Sequence, residues 1–178
     1  VIDGKDIKYV IKDGKSPIAG TINRSGAKCV VCNEAVKFPY IRQEGKEKRF
    51  GYELIAVIAL GQRGRIYLDP SDDQVRTALS ATCDDELSGQ LGYYPGYINP
   101  VGYGITEFTD LFTKRQFTAI STFCNLIPEV KKRILADIPL NRMDLGTEYA
   151  KAVALYLSFA VDRLASRMTN ICVWHSIG

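Results

Sequence analysis

Cys29-Val-Val-Cys32 is the sharpest chemical motif in the sequence. Two thiolates separated by two residues on a tight turn can both reach one tetrahedral ion, which is the geometry of half a zinc knuckle. A closed structural site needs four ligands. Cys83, Cys124 and Cys172 occur singly, and the one histidine, His175, stands at the far end of the chain. The expected metal ligands are therefore Cys29 and Cys32 in an incomplete zinc site, with a second Cys-x-x-Cys pair lying outside the chain. A redox dithiol is the alternative, but no helix begins directly at Cys29 to lower its thiol pKa.

Other reaction classes find less support. His175, in Trp174-His-Ser176, has no nucleophile elbow or acyl-transfer signature near it. Gly102-Tyr-Gly104 lacks a preceding strand and a directly following helix, so it does not make a phosphate loop. Asp69-Pro70 and Asn99-Pro100 are each followed by a residue other than the second proline of an amino-methylase motif. Asp162-Arg163 sits in an apolar helical stretch, where burial of an unpaired carboxylate would be costly. It is expected to be an ion-pair anchor of a helix bundle, with a substrate-facing pair as the rival. No catalytic and no cofactor-binding residue is assigned.

Composition limits the setting in which such a site works. The chain has 178 residues, 46% hydrophobic and 24% charged, which excludes disorder, collagen and a coiled coil. A chain this long is expected to bury about 70% of its unfolded surface. The run Ala152–Val161 is far short of the roughly 20 residues that a membrane span requires. An odd number of cysteines, five, argues against a disulfide framework. A soluble, cytoplasmic chain without membrane contact is expected. The first residue is Val and the last stretch, Asn170–Gly178, ends on an apolar, aromatic phrase, so the chain reads as an excised piece of something longer.

The net charge of +3 is unevenly spread: residues 1–50 carry +5, residues 51–110 carry −6 and residues 111–178 carry +4. Two basic ends around an acidic middle permit contact with phosphate backbones without establishing it, because solvated surfaces normally hold both signs.

The elements that must position these residues divide the chain into an α+β fold. A β-rich, zinc-ribbon-like part is expected over 1–70 and a mainly helical part over 71–178, with a Gly/Tyr-rich loop at 84–106. Ile7–Ile11 and Ile18–Ile22 read as strands joined by the turn formers 13–17, and Tyr52–Leu60, which could also start as helix, and Arg65–Leu68 as strands joined by Gly61-Gln-Arg-Gly64. Ser71-Asp-Asp-Gln74 is a capping box that opens a helix over 72–83, and Thr113-Lys-Arg-Gln116 is another. Behind the second, Phe117, Ile120, Phe123, Cys124, Ile127, Val130 and Ile134 form one stripe on a helix of about 22 residues, which Pro128 is expected to bend or split. A last helix over 147–168 is apolar on most sides, so burial on more than one face is expected. The tyrosines of the 84–106 loop suit either base stacking or insertion into a hydrophobic groove.

Several phrases in order resemble a known family. Gly20-Thr-Ile, Cys29-Val-Val-Cys32, Tyr40-Ile-Arg-Gln-Glu-Gly45, Ala56-Val-Ile, Gly64-Arg-Ile-Tyr67, Asp110-Leu-Phe-Thr-Lys-Arg-Gln116 and Leu157-Ser-Phe-Ala-Val-Asp-Arg-Leu164, leading to Cys172-Val-Trp-His175, are similar to the large adenine-specific DNA methylases that contain a zinc ribbon. The resemblance spans residues 18 to 175 and implies an internal segment, between the cofactor-binding glycine motif and the Asp-Pro-Pro-Tyr motif. It implies that the second cysteine pair lies upstream and that the parent enzyme transfers a methyl group from S-adenosylmethionine to adenine N6. The segment alone is then expected to be inactive, with DNA and the missing catalytic halves as its partners. Lys114, Arg115, Lys131, Lys132 and Arg133 are the expected phosphate contacts, positioning rather than specifying. A protein–protein interaction module without DNA affinity is the alternative function, and a Cys-x-x-Cys thiol enzyme a third.

Overall fold

The computed structural model describes residues 2–3, 6–12, 14, 20–94, 96, 100–139 and 142–172. The chain is α+β, with small antiparallel sheets and two long helices. It divides into two units, one formed by Val1–Ser80 with Leu91–Thr106 and the other by Ala81–Gln90 with Glu107–Gly178. Residues 13 and 15–19 of the expected turn and strand fall outside the described residues, as do Tyr97, Asn99 and the Trp174-His175 end; of the strand expected over 18–22, the described part is extended only from Ile22.

The first unit begins with a two-stranded pairing of β1 (Ile2–Asp3) and β2 (Asp6–Ile7). The strand expected over Ile7–Ile11 is not formed beyond Ile7; instead the Ile11 amide donates to Asp69 Oδ1 at 2.7 Å, a bond that replaces a ladder partner. A three-stranded meander follows: β3 (Ile22–Asn23), β4 (Gly26–Lys28) and β5 (Ala35–Lys37). Its first turn is tightened by the Ser25 amide, which donates to Asn23 Oδ1.

Directly after β5, α1 (Phe38–Lys46) starts with Pro39 in its first turn, a position that tolerates the missing N–H, and ends with Lys46 near the negative helix end. The backbone of α1 meets that of the short 3-10 helix Pro100–Tyr103. Gly45 is buried there, and a Cβ on it would lie 2.2 Å from Tyr103 O; a Cβ on Gly104, at φ +82°, would lie 2.0 Å from Gly45 O. Two glycines are therefore needed for that approach. Lys48 Nζ donates to Gly104 O at 2.5 Å, and the Arg42 guanidinium lies 5.8 Å from the Phe38 ring and 5.5 Å from the Tyr103 ring. The hairpin of β6 (Val57–Gly61) and β7 (Gly64–Leu68) turns at the expected Gly61–Gly64, and α2 (Asp72–Leu79) opens on the expected Ser71/Gln74 capping box. α2 ends at Leu79, four residues short of the expected Cys83.

In the second unit, α3 (Lys114–Asp137) runs through Pro128 without splitting, and α4 (Met143–Ala165) packs along it. Thr113 and Gln116 cap α3 reciprocally, as their spacing predicts. The seam depends on small residues of α4: Ala150 is fully buried, and a Cβ on Gly146 would lie 2.3 Å from Ile138 Cδ1. The α3 stripe is narrower than expected, because Phe123, Cys124 and Val130 face solvent while Ile120 is buried.

Burial corrects one expectation. α4 is buried on one face alone among the described residues, since α3 is the one long element packed against it. The seam supplies the first testable expectation. Ala150→Leu overfills a site with no free space and should lower the stability of the second unit by about 1–3 kcal/mol, read as a lower urea midpoint. Ser158→Ala, on the exposed side of α4, should move it by less than about 0.5 kcal/mol.

Candidate functional site

Cys29 and Cys32 lie at the tip between β4 and β5. Gly26 allows these strands to pair closely, because at φ +144° a Cβ would lie 2.4 Å from Val36 O. Beyond the strands, the Cys29 amide donates to Glu34 O and the Asn33 amide to Cys29 O, both at 2.9 Å, closing the loop. Asn33 takes φ 60°, a left-handed conformation that its short polar side chain tolerates. The loop then aims its own N–H groups inward. The backbone N–H of Cys32 and that of Val31 donate to the Cys29 sulfur, with a smaller contribution from the Cys32 side chain, and together they hold the Cys29 thiol below its ordinary pKa.

As the sequence predicts, no helix starts at Cys29; the groups that lower its thiol belong to the turn itself. Cys29 is half-buried and Cys32 exposed, so both sulfurs remain reachable. The donor set fits two corners of a tetrahedral zinc site, being a pair of soft thiolates on one turn. Among the described residues, no group of three or more His, Cys, Asp or Glu side chains could hold a metal ion.

The five expected phosphate contacts all lie on α3, in the second unit. Lys114 and Lys132 are eighteen residues apart, as are Arg115 and Arg133. Eighteen residues make five helical turns, so each pair shares one face across about 27 Å. Lys114, Arg115, Lys132 and Arg133 are exposed and Lys131 is half-buried. The two ends of the row differ electrostatically. Lys114 borders a cavity of about 740 Å³ that is also lined by Asp85, Glu86 and Glu107, whereas Lys131, Lys132 and Arg133 form no ion pair among the described residues. Arg163 and Asp162 are likewise exposed and unpaired among the described residues, so the anchor expected of them is not formed there.

Asp85 and Cys83, which line the cavity, belong to a polar cluster that the sequence reading missed. Asp85 accepts from Ser121 Oγ and from Asn125 Nδ2, the latter at 3.2 Å, and the Cys83 sulfur lies 4.0 Å from the same oxygen. Ser121 is buried, so its hydroxyl needs this acceptor. The signal available in sequence was the spacing of Ser121 and Asn125, which puts two polar side chains on one turn of an apolar helix. The acceptor is thirty-six residues away from Ser121, beyond the reach of any local pattern.

The Cys29 turn gives a direct test. A depressed folded-state pKa keeps the thiolate present as pH falls, and unfolding removes the N–H donors. Iodoacetamide labelling of Cys29, followed by peptide mass spectrometry, should therefore stay fast to a lower pH in the folded chain than in urea. Superimposable pH profiles would contradict the N–H donation.

No family model, curated protein or solved structure matches the chain.

Proposed function

We propose that the chain is an internal segment of an adenine-specific DNA methyltransferase, contributing a DNA-contacting or scaffolding part and no catalytic residue of its own. The observation that carries the reading is the Cys29-Val-Val-Cys32 turn, set at the tip of a small antiparallel sheet and closed by the hydrogen bonds of the Cys29 amide to Glu34 O and of the Asn33 amide to Cys29 O. Such a turn suits thiolate ligation, and it stands within the ordered phrases by which the sequence resembles the zinc-ribbon methylases. Cys29 and Cys32 would hold zinc together with a second cysteine pair from elsewhere in the parent. The ion would contribute folding energy to a ribbon that buries little apolar surface, not reaction chemistry.

In the parent enzyme S-adenosylmethionine supplies the methyl group, and the adenine must leave the duplex to be reached. The part played by this segment is grip. Lys131, Lys132 and Arg133 offer three cations on successive positions of α3, with Lys114 and Arg115 five turns away, a span of about eight nucleotide steps along one strand. Contacts of this kind neutralise phosphates and leave sequence unread.

Two measurements test the reading. Duplex DNA should bind the chain at low salt, and Lys131→Ala/Lys132→Ala/Arg133→Ala should weaken it and flatten the slope of log affinity against log salt by about 2 to 3. Equal binding by both forms would remove these residues from the interface. Calorimetric titration with S-adenosylmethionine should give no heat of binding, and a saturable signal would overturn the absence of a cofactor site.

The second reading, a docking module without DNA affinity, is favoured by one observation: Leu60, Tyr156 and Leu145 are 90%, 74% and 75% exposed. DNA affinity falls steeply with salt, while apolar docking does not, so the same titration separates the two.

A further inference from the structure

α4 carries two apolar faces. One, through Gly146 and Ala150, packs on α3. The other is formed by Leu145, Tyr149, Ala152, Tyr156 and Phe159, which recur at steps of four, three, four and three and so share one face of the helix. The four large members are 75%, 63%, 74% and 59% exposed, and Leu155 beside them is 55% exposed. The charged Glu148 lies at the edge of this face and is neutralised by Lys151 in an ion pair of 2.8 Å. The rings of Tyr156 and Phe159 already meet edge-on, with centroids 6.5 Å apart, which fixes part of the surface before anything covers it.

The order of side chains suits a second copy of the same helix. From Ala152 outward, the stripe reads tyrosine at three residues and leucine at seven in one direction, and tyrosine at four and phenylalanine at seven in the other. A second α4 laid antiparallel across it with the two Ala152 residues at the centre brings tyrosine near tyrosine and Leu145 against Phe159. That is the condition for an isologous two-fold interface, in which the same patch serves both copies. Alanine at the crossing allows the axes to approach to about 8 Å. Covering the exposed parts of three aromatic rings and two leucines removes about 600 Å² per copy, or about 1,200 Å² for the pair, which reaches the lower range of specific interfaces.

We propose that two copies of this chain pair through the outer face of α4, crossing antiparallel at Ala152. The pairing does not depend on the methyltransferase reading, since no DNA or cofactor contact enters it. Sedimentation analysis at physiological salt across the micromolar range should show a monomer–dimer equilibrium. Tyr156→Glu places a charge in the covered face and should raise the dissociation constant by about tenfold or more, whereas Ser158→Glu, off the stripe, should leave it unchanged. Ala152→Cys should form an oxidised dimer under a mild oxidant that neither the unmodified chain nor Ser158→Cys forms to the same extent, a readout independent of how well Tyr156→Glu folds. A monomer throughout that range overturns the proposal. So does a dimer that survives Tyr156→Glu while Ala152→Cys cross-links no better than Ser158→Cys, because association then uses another surface.

Discussion

The contact of α4 with α3 at Gly146 and Ala150 is the constraint on which the second unit rests. Both residues are small because the helices meet backbone to side chain there, with Ile138 filling the space that a Cβ on Gly146 would occupy. The seam fixes the rotation of α4 about its axis, and rotation decides which apolar residues are covered and which remain outside. It also fixes α3, and with it the side chains that hold Asp85 and the row of cations from Lys114 to Arg133. A larger residue at either position would turn one helix against the other and displace both surfaces together.

The first unit follows a different principle. Its sheets are too short to bury much, so polar and backbone contacts hold its shape: Lys48 on the carbonyl of Gly104, Arg42 between two aromatic rings, and Arg49 pairing with Glu44, which holds that carboxyl below the usual range. The Cys29 turn is the smallest instance. Its N–H groups are oriented by two loop hydrogen bonds and a left-handed asparagine, not by packing. A site organised by backbone geometry keeps its form while its side chains stay exposed.

The parts legible in the sequence are those with local causes. Ser71/Gln74 and Thr113/Gln116 satisfy helix-end N–H groups with neighbouring side chains, and both boxes form where their spacing places them. Gly61–Gly64 turns the β6–β7 hairpin for an equally local reason. α1 was less apparent because its charged residues mask the signal of Pro39 at its start. The outer face of α4 was misread because composition records that a face is apolar and not what covers it. The Asp85 cluster and the lowered Cys29 thiol were hidden for related reasons: one joins distant segments, and the other depends on where amide protons point.

The meeting of Gly45 with Gly104 also bears on the order in which the chain can assemble. Joining residues so far apart closes a long loop, whose entropic cost must be met before the contact returns anything. The hairpin β6–β7 and helix α2 lie wholly within that loop and can form earlier from near neighbours. Between them and the closing segment the chain passes through the second unit at Ala81–Gln90 before returning at Leu91–Thr106. The first unit therefore cannot be completed during synthesis until residues well beyond its main body have emerged. Its closure is a late, non-local event, slower than formation of the local elements on either side.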